Sequence, residues 1–260
     1  MLLRLTRFAG CGLAILLGGC ATYVPLQCAA PAIHAKGEVE AAAAWSFTNR
    51  GEASLTYSPA SHLLVRVAGG LKHDARSDSL RLLSRQLELG VGTYWPIGSW
   101  LLVGGLAGLG QAHVEARYRN DYQTFSGNSR YHELDARYRT YFGEAYVTAQ
   151  TGPTTSVGAA YRVTQLRFGE VMDLGAPASI PTILRSEPTV FVRTRPALGA
   201  TRPVQLQLAL AATRTFGYDE ATPPADDTDL VRPFRRGKLY VMLGVQFYPH
   251  VLWQKEKPRQ

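Results

Sequence analysis

From residue 36 onward, this 260-residue chain places apolar side chains at every second position, a period that a strand satisfies and a helix scrambles. The longest case is 100–119. There Trp100, Leu102, Gly104, Leu106, Gly108, Gly110, Ala112, Val114, Ala116 and Tyr118 share one face, and Gln111, His113, Glu115, Arg117 and Arg119 the other. The stretch exceeds the ~9–11 residues with which a tilted strand crosses a bilayer. Nine further segments repeat the pattern: Val39–Phe47, Ala53–Tyr57, Leu63–Gly70, Gln86–Trp95, Gly143–Gln150, Val157–Thr164, Thr189–Arg195, Pro203–Thr213 and Leu239–Phe247.

The connections between these ten segments alternate in length after a tight first turn at 48–50. Residues 59–60, 96–99, 152–153 and 196–202 are short; 73–81, 120–137, 169–187 and 214–236 are long. Transmembrane barrels have this asymmetry, with short periplasmic turns and long outer loops. Hydrocarbon offers no partner to an open sheet edge, so a spanning sheet must close. The expected fold is therefore all-β: a closed antiparallel transmembrane β-barrel of ten strands, with eight or twelve as alternatives. Its apolar face would meet lipid. Its polar face would enclose a charge network of Glu38, Glu40, Arg66, Glu88, His113, Glu115, Arg117, Glu144, Arg162 and Arg193. Charges of both signs suggest a filled interior rather than an open conduit. Trp45, Tyr57, Trp95, Trp100, Tyr118, Tyr161, Phe247 and Tyr248 lie near strand ends and suit interfacial girdles. A soluble periplasmic barrel or sandwich would alternate in the same way with its apolar face turned inward.

The first twenty residues carry a different message. Arg4 and Arg7 precede the apolar run Phe8–Leu17 and then Gly18-Gly19-Cys20, the layout of an export signal too short for a spanning helix. Leu17-Gly-Gly-Cys20 resembles the lipobox of bacterial lipoproteins. That resemblance implies cleavage before Cys20, acylation of Cys20 and, with Ala21 following, traffic to the outer membrane. The segments Cys20-Ala-Thr-Tyr-Val-Pro-Leu, Lys36-Gly-Glu-Val-Glu, Tyr57-Ser-Pro-Ala-Ser-His-Leu and Leu243-Gly-Val-Gln-Phe extend the likeness. Together they resemble small outer-membrane β-barrel lipoproteins of Bacteroidota and related bacteria, a group without an assigned activity. Such barrels commonly stop at the final strand, whereas Pro249–Gln260 continues past it. The expected organisation is a signal peptide at 1–19, a lipidated periplasmic tether at 20–35, the barrel at 36–248 and a periplasmic tail at 249–260. Of the three cysteines, Cys11 falls in the signal and Cys20 at the acylation point. Cys28 is left as an inert thiol of the tether, with no internal disulfide partner.

The formal charge is +8, or +6 without Arg4 and Arg7. Export and the lack of an Arg/Lys stripe interleaved with aromatics argue against nucleic acid, leaving anionic headgroups or outer-leaflet polysaccharide as counterparts. The six histidines, His34, His62, His73, His113, His132 and His250, show no metal-ligand spacing, and no phosphate-binding glycine loop occurs. No metal or cofactor is therefore expected. The acidic run Asp226, Asp227 and Asp229 reads as a solvated loop rather than a cation site. One enzyme-like arrangement is conceivable at the outer rim: His73, Asp74 and Asp78 with His132, Glu133 and Asp135, and Ser77, Ser79, Ser126 or Ser129 as nucleophile. Exposed loops are rich in such residues anyway. The expectation is a non-enzymatic, monomeric outer-membrane barrel that presents long loops to a surface partner. It would depend on membrane lipids and the barrel-insertion machinery. A narrow pore or small-ligand carrier is the alternative, followed by a rim hydrolase acting on peptide or lipid.

Overall fold

The computed structural model describes residues 22–23, 25–77, 80–120, 130–196, 202–219, 221–224 and 226–253, with backbone alone at 75–77, 80, 119–120 and 130. The strands are β1 (Val39–Ser46), β2 (Arg50–Tyr57), β3 (Leu64–Ser77), β4 (Leu80–Ile97), β5 (Leu101–Asn120), β6 (Arg130–Gln150), β7 (Thr155–Asp173), β8 (Ala176–Pro177), β9 (Ile183–Thr194), β10 (Val204–Thr215) and β11 (Lys238–Phe247). All pairings are antiparallel. The ring closes through β1–β11, from Ala41↔Phe247 to Ser46↔Met242, and through β6–β7. The two-residue β8 only folds back on β7, so ten strands make the wall, as the alternation predicts. Two single-turn helices, α1 (Arg232–Arg235) and α2 (His250–Trp253), flank β11. Among the described residues no helix is long and apolar enough to cross a membrane.

The wall is lopsided. Strands β1 and β2 have 8 residues each, whereas β5 has 20 and β6 has 21. One end, the base, holds the start of β1, the end of β11 and the turns at 58–63, 98–100 and 151–154. The other end, the collar, rises on β3–β7 well past the ~9–11 residues needed to span a bilayer. Much of the expected loop sequence is strand: β3 and β4 take up most of 73–81, β5 and β6 half of 120–137, and β7–β9 most of 169–187. Among the described residues only 216–237 stays a long excursion, as 214–236 predicts. The tight first turn holds Asn49 at φ 56°, where a three-residue hairpin needs a left-handed residue.

Outward and inward faces follow the pleat. Leu55, Val65, Val67, Leu87, Leu89, Val91, Val147, Val157, Leu206, Leu208, Leu243 and Val245 project outward as an apolar belt, with Trp45, Tyr57, Trp95, Trp100, Tyr161 and Phe247 exposed in it. Tyr118 and Tyr248 are corrections to the expected girdle. Both turn inward, and Tyr248 is fully buried.

Strand β5 reverses its expected faces. Leu102, Leu106, Ala112, Val114 and Ala116 are buried inside, while Leu109, Gln111, Glu115 and Arg117 are exposed outside. The glycines explain the inward choice. A Cβ on Gly108 would sit 2.6 Å from Phe142 Cζ, and one on Gly104 would collide with the Tyr146 hydroxyl, so this face passes beneath aromatic rings of β6. Past Gly110 the interior turns apolar. Ala112, Val114, Ala116, Leu134, Ala136, Tyr138, Leu166, Val171 and Ile183 form a collar core, closed above by Val231 and Phe234 of the 216–237 excursion.

Candidate functional site: the plugged lumen

Residues 25–36 lack helical or strand structure, so their backbone donors need partners outside the segment. They find them in the barrel wall. Thr22 N donates to Pro233 O at the collar (3.0 Å), and Tyr23 Oη to Glu187 Oε1 (2.9 Å). Farther down, Gln27 N donates to Glu52 Oε2 (2.8 Å), Ala29 N to Glu144 Oε1 (2.7 Å) and Ala32 N to Glu40 Oε2 (2.9 Å). At the base, His34 N donates to Glu38 Oε2 (2.7 Å), and Gly37 N to Ser58 O (2.8 Å) just before β1. The described part of the segment expected as an external tether thus runs through the lumen from collar to base. Cys28-Ala-Ala-Pro-Ala32 is narrow enough to pass, and Cys28, Ala30 and Ile33 pack against Tyr94, Phe142, Tyr146 and Phe191. A void of about 20 Å³ remains beside it, room for roughly one water.

Wall charges hold one another as well as the plug. Arg162 is fully buried on β7. Its Nη2 donates to Glu88 Oε2 (2.7 Å), and its guanidinium lies 3.5 Å from Glu187, 3.9 Å from Glu144 and over the Phe142 ring. Arg50 Nε donates to Glu52 (2.6 Å), and Gln86 bridges Arg50 to Glu88. Arg193 Nε donates to Gln207 (2.6 Å), Arg66 reaches Gln27 O (3.4 Å), and the Tyr248 hydroxyl sits between Glu40 and Gln205. Arg185 ties the collar cap to the wall. It donates to Thr213, Thr215, Arg236 O and Phe234 O and faces the Tyr23 ring.

Six of the expected network residues, Glu40, Arg66, Glu88, Glu144, Arg162 and Arg193, therefore line the lumen, and Glu38 sits at its base mouth near His250. His113, Glu115 and Arg117 do not join them. They stand on the outer face of the collar, where His113 meets Asp135 (2.9 Å) and Arg117 meets Glu133 (3.0 Å). The reason is the inversion of β5. Above the belt the outside is water and the inside is packed apolar core. Sequence reasoning missed Arg50, Glu52, Arg185 and Glu187, because they fall in or beside stretches that read as turn or loop. It had also left Cys28 outside the barrel. The thiol is buried, accepts from Thr189 Oγ1 (3.5 Å) and points at Glu187 O (3.8 Å).

The other candidates resolve as follows. Cys20, Asp78, Ser79, Ser126 and Ser129 lie outside the described residues, as does the side chain of Ser77. His73 faces outward, whereas His132 faces inward, opposite in the pleat to its neighbours Glu133 and Asp135. Among the described residues the rim constellation is not assembled. His132 Nδ1 instead meets Asp173 Oδ2 (2.8 Å), and its ring stacks on Tyr118. That is the base-and-orienter half of a triad, but no described nucleophile hydrogen-bonds its buried Nε2. The acidic run is occupied by arginines: Asp226 pairs with Arg235 (2.7 Å) and Asp227 with Arg232 (2.9 Å). The Arg235 hydrogen bonds hold the Asp226 carboxyl below its ordinary range. Among the described residues no group of His, Cys, Asp or Glu has the arrangement of a metal site.

The fold and site together define a closed ten-strand barrel of the outer-membrane type, plugged from within. No family model and no curated protein matches the chain. Solved barrels resemble it at low identity. The outer membrane protease OmpT of Escherichia coli is 10% identical over 81% of this chain and 93% of its own, with a TM-score of 0.44. The translocator domain of the autotransporter NalP from Neisseria meningitidis is 10% identical over 81% and 86%, with a TM-score of 0.44. An outer membrane channel from Pseudomonas putida is 12% identical over 87% and 99%, with a TM-score of 0.42.

Proposed function

We propose that the protein is a non-enzymatic bacterial outer-membrane barrel of the narrow pore or small-solute carrier type, closed at rest by its own N-terminal segment. The observation that carries this reading is the plug. Residues 25–35 fill a charged lumen, yet wall carboxylates grip them largely by main-chain N–H groups. Such a grip is released by removing a few glutamates, without dismantling the wall. Lipid contact comes from the belt, and insertion requires the barrel-assembly machinery.

A lumen-threaded segment also bears on orientation. With strand termini periplasmic, the collar faces outward, and Thr22 lies at the collar. Acylation of Cys20, two residues upstream, would then place the lipid on the outer side rather than at the periplasmic face that the sequence suggests. The test is planar-bilayer recording. The wild-type protein is expected to stay closed, and Glu52→Gln combined with Glu144→Gln to open frequently. A variant lacking 22–35 that folds and still passes no current would refute the pore reading. It would favour the second one, a structural collar that presents the 216–237 excursion, which the projecting apolar-cored collar supports.

A further inference from the structure

A depression of about 1330 Å³ crosses β2–β7 at the upper margin of the apolar belt, and Arg85, Arg137, Arg139 and Arg167 all line it. Ladder register brings these cations together. Arg139 pairs directly with Arg167 across β6–β7, Gln111 pairs with both Leu87 and Arg139, and Arg85 pairs with His113 one outward position higher. Directly paired Cα atoms lie ~5 Å apart, so Arg85, Arg139 and Arg167, spread over the three pairings from β4 to β7, occupy a patch about 15 Å wide. All three are exposed. Arg137 is neutralised by Glu170 (3.4 Å), and the collar pairs His113–Asp135 and Arg117–Glu133 are balanced. Arg85 and Arg139 have no hydrogen bond or ion pair among the described residues. Arg167 leans on the Tyr141 ring and, among the described residues, bonds only to Gln165 (3.2 Å).

Leu71 pairs directly with Arg85, Leu87 lies one outward position below Arg85, and Leu109 lies one outward position below Gln111; the three are 61%, 47% and 57% exposed. Gly51 opens the near side of the depression, where a Cβ would meet nothing within 4 Å. Unneutralised guanidinium groups beside and above bare apolar wall match a ligand that carries anionic phosphate on acyl chains. Guanidinium forks bind phosphate bidentately, and their stems lie along apolar surface.

We propose that this depression binds a phosphorylated glycolipid of the outer leaflet, with phosphate on Arg85, Arg139 and Arg167 and acyl chains along Leu71, Leu87 and Leu109. The outer-leaflet source rests on the orientation given above. The binding test uses full-length protein in detergent and native mass spectrometry with three probes: bisphosphorylated lipid A, the same lipid dephosphorylated, and phosphatidylglycerol. Retention of bisphosphorylated lipid A is expected to exceed that of the others by about tenfold or more. It should fall by a similar factor in Arg85→Gln/Arg139→Gln/Arg167→Gln and hold in Arg117→Gln. Equal retention of all three lipids, or an unaffected triple variant that still shifts mobility on boiling, would overturn the assignment. Orientation is read separately, by maleimide labelling of Asp219→Cys on intact cells. Labelling supports the source. Labelling only after permeabilisation overturns it even where the purified protein binds.

Discussion

In the base half of the barrel, the outward positions of β4 are Leu87, Leu89, Val91 and Trp95, and the inward wall carries Glu40, Glu88, Glu144 and Arg162. In the collar half, the outward positions of β5 are Gln111, His113, Glu115 and Arg117, and the inward wall carries Val114, Leu134, Ala136 and Leu166. One continuous ladder therefore changes its polarity from apolar-out to apolar-in. Below the change, lipid solvates the outside, and the interior charges must satisfy one another. Above it, water solvates the outside, and the barrel buries an apolar core as a soluble β protein does. The plug crosses both zones. Tyr23 packs in the collar core, while the backbone of 27–34 pairs with base carboxylates.

The contrast breaks most severely at Arg162. Arg162→Ala leaves Glu88, Glu144 and Glu187 without their shared cation and is expected to cost about 3–5 kcal/mol. The exposed collar pair is different: Arg117→Ala is expected to cost about 0–1 kcal/mol. Urea unfolding in detergent, followed by the loss of heat-modifiable mobility, checks both. Equal effects would mean that the lumen network is not buried as described.

The outward face offers the next test. Leu89→Arg puts a charge in the belt and should cost about 2–4 kcal/mol if it lies near the midplane. Glu115→Arg, also outward but in the collar, should stay within about 0.5 kcal/mol. Reconstituted folding yields and unfolding midpoints separate the two.

The smallest expected effect is at the collar cap. Arg235 hydrogen bonds lower the Asp226 pKa, so the stabilisation it gives the cap is present above the ordinary carboxylate range. It is lost only as the pH falls below that range. Limited proteolysis of the 216–237 excursion should be slow at neutral pH and faster near pH ~3, since an unperturbed Asp titrates near ~3.9. Asp226→Asn should be cut faster already at neutral pH.

Much of this was legible in the sequence. Alternation located all ten wall strands, and it placed Glu40, Arg66, Glu88, Glu144, Arg162 and Arg193 inside, because one apolar and one charged face meant lipid outside. The same rule failed on β5. Its inward face is apolar over the whole length, first as glycines beneath Tyr146 and Phe142, then as Ala112, Val114 and Ala116 in the collar core. Reading that face toward lipid placed His113, Glu115 and Arg117 in the lumen. The plug was invisible for another reason. An Ala- and Pro-rich stretch without period carries no strand signal, and its partners are carboxylates distant in sequence, Glu52 and Glu144 among them. Arg185 and Glu187 were read as loop because β9 begins at Ile183, before its alternation is clean.

The change of polarity along β5 can be read directly by spin labels at single cysteines in a Cys28→Ala background, with the protein in liposomes. Labels at Val103 and Leu109 should relax with dissolved oxygen, and labels at Gln111, His113 and Glu115 with a water-soluble nickel chelate. Labels at Leu102 and Val114 should be shielded from both. Oxygen access at Leu102 with a shielded Leu109 would mean that the strand faces the other way, and the account of belt, collar and lumen would be wrong.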